Sequence, residues 1–108
     1  GGKIEELSYQ GSYRDQMKHG EGVLRCTNST YDGQFEWDHK HGHGTLCWHD
    51  GRCYSGQFEM GKFHGTAVMT WPDGRVFDGQ YIQDRKHGDG TFSWSDGRRY
   101  AGQWVCGK

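Results

Sequence analysis

The feature that most constrains this chain is a block that returns every 23 residues. Tyr31-x-Gly33-Gln34-Phe35 recurs as Tyr54-x-Gly56-Gln57-Phe58, Phe77-x-Gly79-Gln80-Tyr81 and Tyr100-x-Gly102-Gln103-Trp104, with Tyr9-x-Gly11-x-Tyr13 as an earlier copy. The leading aromatics lie 22, 23, 23 and 23 residues apart. A second block keeps step: His19-Gly20-Glu21-Gly22, His41-Gly42-His43-Gly44, His64-Gly65-Thr66-Ala67 and His87-Gly88-Asp89-Gly90. Asp50-Gly51, Asp73-Gly74 and Asp96-Gly97 close the units, with Asn28-Ser29 at the corresponding place in the first. Periods of this length mark arrays in which each unit contacts mainly its neighbours.

Within a unit, aromatic or Gly residues alternate with polar ones, as in Tyr54-Ser55-Gly56-Gln57-Phe58 and Gly42-His43-Gly44-Thr45-Leu46-Cys47-Trp48. A period of two predicts strands with one apolar face. Glycine fills 19 of 108 positions, which argues against helix. Asp-Gly marks a tight turn. A three-residue loop between Trp48 and Tyr54 keeps both on the apolar face, and a two-residue loop does the same for Cys26 and Tyr31. The other connection, such as Glu59–His64, reads as longer and polar, with the Lys/His residues in it.

The expected fold is all-β: an elongated, single-layer, twisted antiparallel sheet of stacked hairpins. Residues 1–8 read as a leader, with Gly1-Gly2 resembling a cloning scar. Residues 9–108 read as the array, with four full units starting at 9, 31, 54 and 77 and a truncated fifth at 100. Ring stripes (Tyr9, Tyr31, Tyr54, Phe77, Tyr100; then Tyr13, Phe35, Phe58, Tyr81, Trp104) flank a glycine stripe, which leaves room for rings over backbone. Because Lys108 stops short of the fifth unit's second block, the array is expected to belong to a longer one and to pair end to end through its open edge.

Y-x-G-x-[WF], H-G-x-G and D-G at this period resemble the MORN repeat (membrane occupation and recognition nexus). Departures are Ala67 for the second Gly, Cys26 for an aromatic and Asn28-Ser29 for Asp-Gly. The resemblance implies a non-catalytic array. Relatives serve in cytoskeletal and ciliary scaffolds, in junctional membrane proteins, or as regulatory arrays on phosphoinositide kinases and a lysine methyltransferase. It also implies a cytoplasmic setting with cytoskeletal or membrane association.

A single sheet layer cannot bury both of its faces, so a partner-binding groove is expected along Tyr31, Phe35, Trp48, Tyr54, Phe58, Trp71, Phe77, Tyr81, Trp94 and Tyr100. Its occupant would be a helix or extended segment of a partner, or a second copy. The alternative site is an edge of Lys18, Lys40, Lys62, Arg85 and Lys86 facing anionic phospholipid. Asp15, Asp38 and Asp84 sit nearby to neutralise it, and a net charge of −1 favours a merely solvated row. The same charge argues against nucleic acid. No cofactor is expected. His39, His41 and His43 would share one side of an extended segment, yet no second ligand block stands at zinc spacing, so no metal is assigned. Ser55, Ser93 and Ser95 lie at variable positions and define no triad. Cys26, Cys47, Cys53 and Cys106 form no C-x-x-C pair and read as free thiols of a reducing compartment.

Overall fold

The computed structural model describes residues 4–105. Gly1-Gly2, Cys106 and Lys108, and with them the last residues of the fifth unit, lie outside the described residues. The described chain forms β1 (Glu6–Arg14), β2 (Met17–Cys26), β3 (Ser29–Glu36), β4 (His39–Trp48), β5 (Cys53–Glu59), β6 (Lys62–Thr70), β7 (Val76–Ile82), β8 (Arg85–Ser93) and β9 (Arg99–Trp104). They lie in sequence order in one open antiparallel sheet measuring 46 × 25 × 22 Å. The first strand starts at Glu6, three residues before the first motif. Among the described residues no helix is long and apolar enough to cross a membrane.

The register explains the glycine stripe. Gly33 pairs with Gly44, and Gly79 with Gly90, directly opposite across the ladder. The Tyr31 ring lies over Gly44, where a methyl carbon would sit 2.5 Å from Tyr31 Cε1. Rings therefore pack on bare backbone instead of on side chains. Tyr31, Tyr54 and Phe77 are the largest fully buried side chains, joined in the core by Leu24, Phe35, Leu46, Phe58, Ala67, Met69 and Tyr81.

One contact recurs between units: the first-stripe ring of each meets the third-stripe ring of the next, edge to face. Tyr9 meets Phe35 at 5.4 Å, Tyr31 meets Phe58 at 5.2 Å, Tyr54 meets Tyr81 at 5.4 Å and Phe77 meets Trp104 at 5.4 Å. Such pairs contribute about 0.5–1.5 kcal/mol each beyond burial. The Tyr9, Tyr31 and Tyr54 hydroxyls donate to the main-chain carbonyls of Ser12, Gln34 and Gln57 at 2.6–2.7 Å. Phe77 fills the same slot without that bond.

Burial pushes the Tyr81 phenol up to about 12 and the Tyr31 and Tyr54 phenols further still. Only the neutral phenols fit the core, so this stability is fully present below the ordinary value of 10.0. It is lost as pH rises through the folded-state values. Denaturant midpoints are expected to hold below pH 10 and fall between there and about 12. Tyrosinate absorbance from these three rings should appear together with unfolding. Stepwise ionisation of all three with circular dichroism unchanged would contradict this.

Both loop types are short. Trp48 N–H donates to Arg52 O and Gly51 N–H to Trp48 O, which closes the three-residue loop His49–Gly51, with Gly51 at φ 102°. The shorter first loop, Thr27-Asn28, keeps the register as expected. The opposite connections differ from expectation. They are not long and polar but two-residue turns: Asp15-Gln16, Trp37-Asp38, Met60-Gly61 and Gln83-Asp84. Both central residues have positive φ, as a type I′ turn requires. The Lys/His residues consequently lie on β2, β4, β6 and β8 rather than in loops.

Cys47 and Cys53 are disulfide-bonded, which corrects their reading as free thiols. They stand directly opposite in the β4–β5 register, with Cα atoms 4.1 Å apart. Irregular spacing concealed this because only the hairpin brings them together. A cross-strand disulfide gives no support to a reducing compartment.

Candidate functional site: the tryptophan row and the histidine margin

The groove proposed from sequence divides in two. Tyr31, Phe35, Tyr54, Phe58, Phe77 and Tyr81 are buried among themselves and offer no surface. Trp48, Trp71 and Trp94 are half-buried at the three-residue loops, and Tyr100 is exposed on β9. Half-buried Phe63 and Phe92 extend the open part, meeting Trp48 at 6.0 Å and Trp71 at 5.4 Å.

Each tryptophan carries the same lid. The guanidinium of Arg52 lies 4.8 Å from the Trp48 ring, Arg75 5.1 Å from Trp71 and Arg98 5.2 Å from Trp94. Each Arg also bonds the turn aspartate, Nε to carboxylate, at 2.8–2.9 Å: Arg52 with Asp50, Arg75 with Asp73, Arg98 with Asp96. The Arg main-chain N–H donates to the same carboxylate. These backbone bonds first, with the guanidinium, hold all three carboxyls below the usual range. The result is a row of rings, each flanked by a fixed cation.

The basic edge separates into two registers. Lys18, Lys40 and Lys86 stand immediately before the repeat histidine. Their ammonium groups lie 5.5 Å from Tyr9, 5.5 Å from Tyr31 and 5.3 Å from Phe77. Lys18 also pairs with Glu6 at 3.0 Å, and burial draws the Lys86 ammonium below the ordinary lysine value. In the third unit Phe63 takes this slot and stacks on Tyr54 at 4.0 Å. Lys62 and Arg85 occupy a different slot, one residue earlier, at the hairpin-closing pairs Glu59↔Lys62 and Ile82↔Arg85. The five cations therefore do not form one row.

The histidine–glycine block is a bulge, not a loop. Register shifts fall at Gly11/Tyr13, Gly33/Phe35, Gly56/Phe58 and Gly79/Tyr81. Gly42, at φ 75°, breaks the extended run on which a shared side for His39, His41 and His43 depended. Gln34, Gln57 and Gln80 close the bulge: their Oε1 atoms accept the N–H of His43, Thr66 and Asp89. His41 is itself occupied, with Nε2 3.5 Å from Glu36 and Nδ1 accepting Met60 N–H. Among the described residues no three His, Cys, Asp or Glu side chains are grouped to hold a metal. Asp32, His43 and Ser55 line one shallow groove, but no hydrogen bond links them, and Ser55 Oγ instead lies 3.4 Å from Thr45 Oγ1.

Turns of successive units are laced together. Asp38 N–H donates to Lys18 O while Lys18 N–H donates to Asp38 Oδ1 at 2.7 Å. Asp84 and Phe63 repeat the pair, and Gly61 N–H donates to Lys40 O. The lids, the bulge-closing glutamines and this lacing were not foreseen. The W-x-D-G-R spacing shared by Trp48–Arg52, Trp71–Arg75 and Trp94–Arg98 was the available signal for the lids.

The fold is an open hairpin array that carries a repeated tryptophan–arginine pair on one margin and a repeated histidine block on the other. The MORN repeat profile matches residues 9–30, 31–51, 54–74, 77–98 and 100–108. The chain belongs to the MORN repeat family, and its single sheet of nine described strands is what stacked MORN hairpins build. Comparison with curated proteins finds no match.

Proposed function

We propose that the chain is a non-catalytic interaction scaffold that receives a partner protein segment along Trp48, Trp71 and Trp94. The observation that carries this reading is the repeated tryptophan with its arginine lid. Trp and Arg dominate binding hot spots because a large ring and a fixed planar cation order little on contact. A row spaced by the repeat suits an extended segment or a helix lying across the units. Three of the five cations of the alternative lipid edge are occupied with rings, which favours the row. The test is the affinity of a captured partner for Trp71→Ala, Trp94→Ala and Arg75→Ala proteins. Each tryptophan change is expected to weaken binding roughly 30-fold, corresponding to about 2 kcal/mol. Unaltered affinity in a doubly substituted, folded protein removes the reading.

A further inference from the structure

The notches between repeat histidines are not equivalent. The one between His19 and His41 is lined also by Gly20, Gln34, Phe35 and two carboxylates, Glu21 and Glu36. Its counterpart between His64 and His87 has Thr66 at the Glu21 position and Ile82 at the Glu36 position. His41 and His64 have glutamate partners, Glu36 at 3.5 Å and Glu59 at 3.3 Å, whereas Ile82 stands in the slot that would serve His87.

The second notch continues into a cavity of about 410 Å³ lined by Lys62, Ile82, Gln83, Arg85 and His87. Neither lining includes a carboxylate. Glu59 and Asp84 are close in sequence but engaged elsewhere: Glu59 with His64 Nε2, and Asp84 Oδ1 with Phe63 N–H at 2.8 Å. Among the described residues neither Lys62 nor Arg85 makes a salt bridge. His64 Nδ1 is buried without a partner, whereas His19 and His41 Nδ1 accept a turn N–H at 3.3 and 3.4 Å.

Loss of two acids and gain of two unpaired cations thus coincide in one concave place. We propose that this cleft binds a phosphate monoester. Lys62 and Arg85 match the charge of roughly −1.5 to −2 that such a group carries at pH 7. Arg85 can grip two phosphate oxygens at once, and the His87 ring and Gln83 amide add donors. Ile82 gives the carbon side of the ester an apolar wall. This site is independent of the tryptophan row and lies on the opposite margin of the sheet.

The test uses the full chain and two soluble probes, inorganic phosphate and phenyl phosphate, titrated at constant ionic strength and followed by amide chemical shifts. Saturable shifts at Lys62, Gln83, Arg85 and His87 are expected, with phenyl phosphate the tighter probe. Arg85→Ala should weaken binding about tenfold or more. Ile82→Glu should do the same while folding normally, since glutamate already stands in that slot at Glu36 and Glu59. A parallel arm uses phosphatidylcholine vesicles with and without a phosphatidylinositol phosphate. Vesicle binding that Ile82→Glu abolishes assigns the ester to a lipid headgroup; saturable binding of the soluble probes alone assigns it to a free ester. Shifts that merely follow ionic strength, or equal binding by the Ile82→Glu protein, overturn the proposal.

Discussion

Tyr54→Ala is expected to lower folding free energy by about 3–5 kcal/mol, the range for deleting a buried ring. Tyr54 is fully buried, stacks on Phe63 at 4.0 Å and meets Phe58 and Tyr81 at 4.9 and 5.4 Å. Its removal opens a void inside its own unit and cuts the ring contact to the next. A domain of this size has only about 5–15 kcal/mol in total. Tyr54→Phe separates ring from hydroxyl. It loses only the bond to Gln57 O, roughly 1 kcal/mol, and recreates what Phe77 already is. Urea denaturation of the two variants checks the claim, and an alanine cost below about 1 kcal/mol would refute the ring-centred account of the core.

The second large effect comes from adding atoms. Gly44→Ala puts a methyl group against the Tyr31 ring, 2.5 Å from Cζ, where only backbone fits. The expected cost is about 1–3 kcal/mol from overpacking. The third unit shows how the sequence accommodates that atom. Ala67 stands in the Gly44 slot there, and Phe63 replaces the lysine at the Lys40 slot, with Tyr54 stacked flat on it, 9° between ring planes. Lys40→Phe combined with Gly44→Ala should therefore recover at least half of the loss. A strictly additive double-mutant cycle would show that the Phe63 stack and Ala67 are unrelated.

The repeat, its hairpins, the register and the ring and glycine stripes were legible because period two and period 23 act on the same letters. The three-residue loop at Asp50-Gly51 was legible because Trp48 and Tyr54 must share a face. The other turns were not. Trp37 and Met60 are poor advertisements for a two-residue turn, since a bulky side chain at φ 49° or 50° is disfavoured on its own. The lacing of Asp38 to Lys18 and the packing of Trp37 against His19 at 4.8 Å come from the neighbouring unit. Misplacing those turns put the histidines in loops and merged two registers of cations into one edge. The apolar stripe was read correctly as a stripe, but its exposure was overestimated, because ring contacts between units close it at Tyr31, Tyr54 and Phe77. Cys47–Cys53 required three-dimensional proximity that spacing does not encode.

The lacing has a mechanical consequence. Along the histidine margin, each turn is tied to the preceding unit by a main-chain bond at three successive steps, backed by an Asp side-chain bond at two of them. Along the tryptophan margin, the lids of Arg52, Arg75 and Arg98 each close on their own loop. There His49 N–H reaches Asn28 O at 2.9 Å, but Pro72, at the next equivalent position, has no N–H to offer. Thr27 and Glu5 exchange main-chain and side-chain bonds on this margin too, so its lacing lapses only from the step that brings in Pro72, and bending is expected to concentrate there. Flexing about the histidine margin is expected to change the distance between Trp48, Trp71 and Trp94 while leaving the buried rings in place. On the proposed reading, a bound segment would set the pitch of the tryptophan row, as a fan is spread from its pivot.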